Sequence, residues 1–274
     1  MSPEVGELDE AAFGEIMGDD PDAAFALLAD MASATDERLR ELARRLAGRI
    51  IVDLARIGPQ RRRGIGRLAR VPFTRADGDI DVDASLDAIV ETRSGGHVDP
   101  ADLRVTAWQR PSTSVCLLVD RSGSMAGDRL AAAAVGAASV LFRAPNDCSV
   151  VAFAEDAVVV KAQDESRAAG DVVGDLLRLR GFGVTDLGLA LRTAARQLER
   201  STAGRRLTIL MSDCRATTGG DPVPAAGALS ELVILGPEDD SADAEALAEA
   251  LGARWAGIGG PTTVPDALSR VLLS

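Results

Sequence analysis

From about residue 103 to its end, the chain alternates short, predominantly apolar runs with longer segments of helical period. The runs read "LRVTAW", "SVCLLVD", "CSVVAFA", "AVVVKAQ", "RRLTILMSD", "ELVILGP" and "RWAGIGG". Between them lie "DRLAAAAVGAASVLFRA", "SRAAGDVVGDLLRLR", "DLGLALRTAARQLER" and "SADAEALAEALG", and "TVPDALSRVLL" closes the series. A strand that is apolar at every position has no face to give to water, so helices must cover both sides of its sheet. Strand and helix in strict alternation then predict a doubly wound α/β fold, with a mostly parallel sheet flanked by helices over residues 101–274. "AVVVKAQ" is expected at an edge of that sheet.

Such a core must be aliphatic, because aromatic residues make up only 3% of the chain and tyrosine is absent. The formal net charge of -12 opposes attraction to a phosphate backbone, so no nucleic-acid partner is expected. Arginine carries nearly all the positive charge, Lys161 being the one lysine. The N-terminus "MSPEVGELDEAAFGEIMGDD" has neither a basic nor an apolar signal region, and no apolar run approaches the ~20 residues of a membrane span. The expected location is cytoplasmic, with no membrane partner. Cys116, Cys148 and Cys214 are widely spaced and lack a CxxC pair, which fits reduced, buried thiols.

Residues 1–57 form an expected N-terminal helical extension, with one helix starting near Asp20-Pro21 and another carrying Leu39, Leu42, Leu46, Ile50 and Leu54 on one stripe. That stripe suits packing against the rest of the chain or a partner helix. Residues 58–100 read as a basic connector, with Arg61, Arg62, Arg63, Arg67 and Arg70, followed by a short strand-helix segment. The arginines suit a solvated linker or an acidic partner. "DGDIDVDASLDAIVE" resembles a calcium loop only superficially, because a loop starting at Asp79 would put Ala84 and Val90 where Gly and Glu are required. Alternation instead predicts a strand showing carboxylates to water, then a helix over about 83–91. His97 is the only histidine, and no cysteine lies beside it, so His-based metal sites and a Ser-His-Asp triad are excluded.

In doubly wound folds ligands bind beyond the carboxyl ends of the strands, where the strand order reverses. Three loops converge on that edge: "DRSGS" after one strand, "GFGVTDLG" before a helix, and "SDC" after another strand. They offer Asp120, Ser122, Ser124, Thr185, Asp186 and Asp213, all oxygen donors, with Gly123 expected to permit the first turn. An all-oxygen set of two carboxylates and three hydroxyls suits a hard divalent cation: Mg2+, with Mn2+ or Ca2+ as alternatives.

The D-x-S-x-S of Asp120, Ser122 and Ser124, the Thr-Asp loop at Thr185, and the strand-end Asp213 are together similar to the metal-ion-dependent adhesion site of von Willebrand factor A domains. The resemblance covers about residues 101–274 and implies Ser122, Ser124 and Thr185 as hydroxyl ligands. Asp120 and Asp213 would hold the ion directly or through water, and a partner's acidic residue would complete the shell. Cys214 departs from the glycine common after that aspartate. More widely, "DIDVDASLDAIVE", "HVDPADLRVTAWQR" and "VCLLVDRSGSM" resemble the C-terminal part of magnesium-chelatase D subunits and the CoxE-type bacterial proteins that act beside MoxR-type AAA+ ATPases. That resemblance implies a companion AAA+ ATPase, or its client, as partner in remodelling or in metal or cofactor insertion. No G-x-x-x-x-G-K-[ST] phosphate loop is present, so another polypeptide would bind the ATP.

Two functions follow: a non-catalytic, Mg2+-dependent binding module, and a Mg2+-dependent phosphohydrolase built on the strand-end aspartates. The first motif is D-x-S without a D-x-D nucleophile and acid pair, and no lysine lies near these loops. The binding module is therefore the reading adopted.

Overall fold

The computed structural model describes residues 10–24, 27, 67–75, 79–93, 99–109, 113–125, 128–179 and 183–273. The chain divides into two compact units, one of residues 1–61 with 113–274 and one of residues 62–112. The predicted helical stripe from Leu39 to Leu54, Arg61 to Arg63 and His97 lie outside the described residues.

The N-terminal helix α1 spans Glu10–Asp19. The next residues, 21–24, are again helical, as Asp20-Pro21 predicts: Asp20 Oδ1 accepts from the Ala23 N–H at 3.0 Å. Phe13 and Ala24 are buried in the core of the larger unit.

The smaller unit contains β1 (Arg67–Pro72), β2 (Asp79–Ile80), α2 (Leu86–Arg93) and β3 (Arg104–Gln109). Its sheet has the order β1-β3-β2 and is antiparallel throughout, with Arg67 opposite Gln109 and Asp79 opposite Thr106. Residues 104–109, expected to open the large parallel sheet, therefore belong here. The sequence at this point alternates, with Val105 buried, and such a strand needs only one covered face. Asp81 accepts from the Ala84 N–H at 3.0 Å and from Arg70 Nε at 2.5 Å, which turns the chain toward α2. Those bonds lower the carboxyl's pKa, the Ala84 N–H contributing most. They also explain why this aspartate-rich stretch is a turn. Ile80 and Val82 are exposed, against the expectation from alternation, because β2 is only two residues long.

The larger unit is built on β4 (Thr113–Asp120), α3 (Asp128–Arg143), β5 (Cys148–Phe153), β6 (Ala157–Lys161), α4 (Ala169–Arg178) and α5 (Leu187–Leu198). It continues through β7 (Arg205–Met211), the single turn α6 (Val223–Ala226), β8 (Leu232–Pro237), α7 (Ala242–Leu251), β9 (Arg254–Ile258) and α8 (Val264–Leu273). The six strands run β6-β5-β4-β7-β8-β9, all neighbours parallel except β5 with β6. This is the predicted doubly wound α/β fold, with β6 at an edge.

Alternation along β4 divides the core. Val115, Leu117 and Val119 pack with α3, α4 and α8, while Cys116 and Leu118 face α5 and α7. β4, β5, β7 and β8 read as uninterrupted apolar runs because both faces are covered. Alanine dominates α3, and at Gly136 an added Cβ would stand 2.5 Å from Met211 Sδ, so this helix lies close against the sheet. The three cysteines are buried free thiols, and burial pushes those of Cys116 and Cys214 up to about 12.

Candidate metal centre

The strand order reverses between β4 and β7, because the chain leaves β4 for β5 on one side and returns to β7 on the other. Val119 of β4 lies opposite Met211 of β7, so Asp120 and the segment Ser212-Asp213 emerge side by side from the two carboxyl ends. Asp120 also lies opposite Phe153 at the end of β5. The crevice beyond these ends is where such folds place their ligands.

Asp120 is fully buried. Its Oδ1 accepts from the Ser122 N–H at 2.8 Å, and its Oδ2 from the Ser212 hydroxyl at 2.5 Å. Burial raises its pKa; the Ser212 hydroxyl and Ser122 oppose that rise, and the Asp213 charge adds to it. Ser122 is buried and Ser124 exposed, their hydroxyl oxygens 3.1 Å apart. Both hydroxyls thus gather beside Asp120. The turn does not depend on Gly123: its φ is not positive, and an added Cβ would meet nothing within 4 Å. Residues 123–125 form a 3-10 turn that other residues can adopt, which corrects the expectation for that glycine.

Thr185 is buried and is held from two sides. Its N–H donates to Thr217 Oγ1 at 2.8 Å, and its carbonyl accepts from the N–H groups of Thr217 and Thr218. The next residue, Asp186, donates its N–H to the Ala154 carbonyl beyond β5. Asp186 caps α5 through a 2.8 Å bond from the Leu189 N–H. Its carboxylate also fills the space beside Gly219, where a Cβ would come within 2.5 Å and where φ is +84°. Asp186 is thus a capping residue. Arg121 pairs with Asp156 and donates its N–H to the Phe153 carbonyl at 2.8 Å, joining the β4 loop to the β5 end.

Asp213 is fully buried. Its Oδ1 accepts from the Arg215 N–H at 3.2 Å, whereas its buried Oδ2 has no hydrogen-bond partner among the described residues. A buried carboxylate oxygen without a partner is costly, and the adjacent Asp120 increases the cost. Among the described residues no group of three or more His, Cys, Asp or Glu side chains could hold a metal. A cation here would therefore draw on hydroxyl as well as carboxylate oxygens. The residues fit that requirement: the orphaned Asp213 Oδ2, the Asp120 carboxylate and the paired serine hydroxyls suit a hard divalent ion.

The structure thus brings Asp120, Ser122, Ser124, Thr185 and Asp213 to one edge of the sheet. Ser212 and Thr217, which orient Asp120 and Thr185, were not legible as site residues. The one cue was position, since Ser212 immediately precedes Asp213. Cys214 follows with φ +62°, the left-handed region that favours glycine. Its N–H donates to Ser212 Oγ at 2.9 Å, so the strained turn completes the relay to Asp120.

A family model described as the von Willebrand factor type A domain matches residues 115–215, a span that contains all five site residues. Over that segment the chain is similar to this family. No curated protein matches the sequence. Among solved structures, an aerotolerance-related membrane protein from Bacteroides fragilis is 18% identical, covering 58% of this chain and 97% of that one, with a TM-score of 0.46. The von Willebrand factor type A protein from Catenulispora acidiphila is 21% identical, covering 62% and 43%, with a TM-score of 0.47. The protein BatB from Bacteroides thetaiotaomicron is 19% identical, covering 58% and 97%, with a TM-score of 0.46. No helix among the described residues is long and apolar enough to cross a membrane.

Proposed function

We propose that the larger unit is a non-catalytic, divalent-cation-dependent protein-binding module that acts in the cytoplasm beside a separate AAA+ ATPase of MoxR or chelatase type. The observation that carries this reading is the buried, unpartnered Asp213 Oδ2 next to the buried Asp120. Ser122, Ser124 and Thr185 supply neutral oxygens around these two charges. A bound Mg2+ would supply the electrophilic centre that an acidic side chain of the partner completes. Ser212 and the Ser122 N–H hold Asp120, Thr217 holds Thr185, and the preset loops limit the entropy lost on binding.

The phosphohydrolase reading finds less support. Lys161, the chain's one lysine, is buried and donates from Nζ to the Cys148 carbonyl at 2.5 Å. Cys148 begins β5, at the end of the sheet opposite Asp120, so Lys161 stands far from any phosphoryl group held at these loops.

Surface plasmon resonance against a purified MoxR-type and a chelatase-type AAA+ ATPase tests the proposal. One of them should bind in Mg2+, and both EDTA and the double variant Asp120→Ala/Ser122→Ala should abolish that binding. Binding that survives chelation would remove the cation from the bridge. Absence of binding to either ATPase would remove the partner class, and turnover of a generic phosphate ester would favour the hydrolase.

A further inference from the structure

A second cavity opens beside the candidate metal loops, at the carboxyl ends of β7, β8 and β9, with a volume of about 340 Å³. That is at the small end of the range for ligand pockets, enough for one long side chain with its flanking backbone. Met125, Ala132, Met211, Leu235 and Ile258 form its apolar walls. Met125 is the residue after Ser124, and Arg129 donates to the Ser124 carbonyl at 3.2 Å, so the cavity borders the first metal loop.

Its polar edge is acidic. Asp239 is paired with Arg129 at 3.1 Å. Glu238 is exposed and lines the same cavity, and among the described residues no hydrogen bond or ion pair reaches its carboxylate. The Glu238 side chain lies flat against β9 because Gly257 and Gly259 leave room for it: a Cβ at those positions would come within 2.5 Å of Glu238 Cγ and 3.3 Å of Glu238 Oε2. An unpaired carboxylate at the mouth of an aliphatic and thioether pocket matches a side chain with a long apolar stem and a cationic head.

We propose that this cavity receives an arginine or lysine side chain of a partner protein, the stem between Met125 and Met211 and the head on Glu238. Together with the metal loops it would read a basic residue near the acidic one that completes the cation's shell. The pairing with an acidic residue rests on the metal-site reading; the cavity's own preference does not. Thioethers suit such a role, because they adapt to a stem without imposing one rotamer.

NMR of the full chain labelled at the methionine methyl groups tests the proposal. The chain has five methionines, of which Met125 and Met211 line the cavity. Titration with N-acetyl-arginine amide or N-acetyl-lysine amide, in EDTA so that no cation contributes, should shift those two methyl signals saturably. N-acetyl-citrulline amide, which keeps the stem and lacks the charge, should bind about tenfold more weakly, and Glu238→Gln should weaken the arginine probe similarly. Glu238 is exposed and unpaired, so the variant should keep the wild-type spectrum elsewhere. No shift at Met125 and Met211, equal binding of the citrulline probe, or undiminished binding to Glu238→Gln would each overturn the proposal. A parallel Mg2+ titration without probe reports on the metal loops alone, so failure of the cavity and failure of the metal site give different results.

Discussion

Single residues determine how the two buried carboxylates are held. That Asp120, Ser122, Ser124, Thr185 and Asp213 stand on loops at the strand ends was legible from the order of strands and loops, whereas the same oxygen-donor set also included Asp186, which caps a helix. Ser212 and Thr217 were not legible, since a serine or threonine that orients a neighbour has no spacing rule to reveal it. Cys214 was legible only as a departure, and its φ of +62° gives the physical meaning of that departure. Replacing it by glycine removes a left-handed side-chain penalty of about 1–2 kcal/mol but also a buried thiol and some unfolded-state restriction. Cys214→Gly should therefore change unfolding free energy by less than about 1 kcal/mol. Cys214→Val, which places a β-branched residue in that region, should cost about 1–3 kcal/mol. Urea unfolding of the two variants separates these outcomes; equal losses would mean that φ at this position does not matter.

Elements carry the second level. The continuous apolar runs identified β4, β5, β7 and β8 because burial on both faces leaves no period to misread, and the antiparallel β6 fell at the edge as expected. The strand at 104–109 was misplaced because a six-residue run beside a parallel series looks like its first member. Its alternation of polar and apolar residues marks a strand that needs only one covered face, and its pairing with β1 and β2 assigns it to the smaller sheet. Close packing of α3 on the sheet is concentrated at Gly136. Gly136→Val should lower stability by about 1–3 kcal/mol through overpacking against Met211, measured by thermal or urea unfolding. At the other end of the strands, Arg205 makes a forked pair with Glu231 at 2.7 and 2.8 Å, and Arg254 of β9 joins the same carboxylate. These partners, Arg205 first, hold the Glu231 carboxyl below its ordinary value of 4.5. A lowered folded-state value means that the contribution is complete above about pH 4.5 and fades as pH falls through the folded value. Partial exposure limits it to under about 1 kcal/mol. Stability measured from pH 7 to pH 3 should fall less steeply in Glu231→Gln than in the wild type, and identical slopes would contradict the pairing.

For the whole molecule, the fold explains why the candidate site stands where it does. Reversal of strand order between β4 and β7 opens one crevice at the carboxyl edge, and every predicted ligand lies on a loop that reaches it. The cavity beside it was not legible, because its walls come from residues that any buried strand or helix could carry. Glu238 sits among several acidic neighbours, and only Gly257 of β9 and Gly259 just beyond it distinguish its placement. The central claim is that Asp120, Ser122, Ser124, Thr185 and Asp213 share one hard cation. An anomalous difference map from crystals soaked in Mn2+ tests it most directly. The account predicts a single peak beyond the ends of β4 and β7, about 2 Å from the serine hydroxyls and from at least one aspartate oxygen or its bridging water. A map without a peak there, with Asp213 Oδ2 still unpartnered in saturating metal, would contradict it.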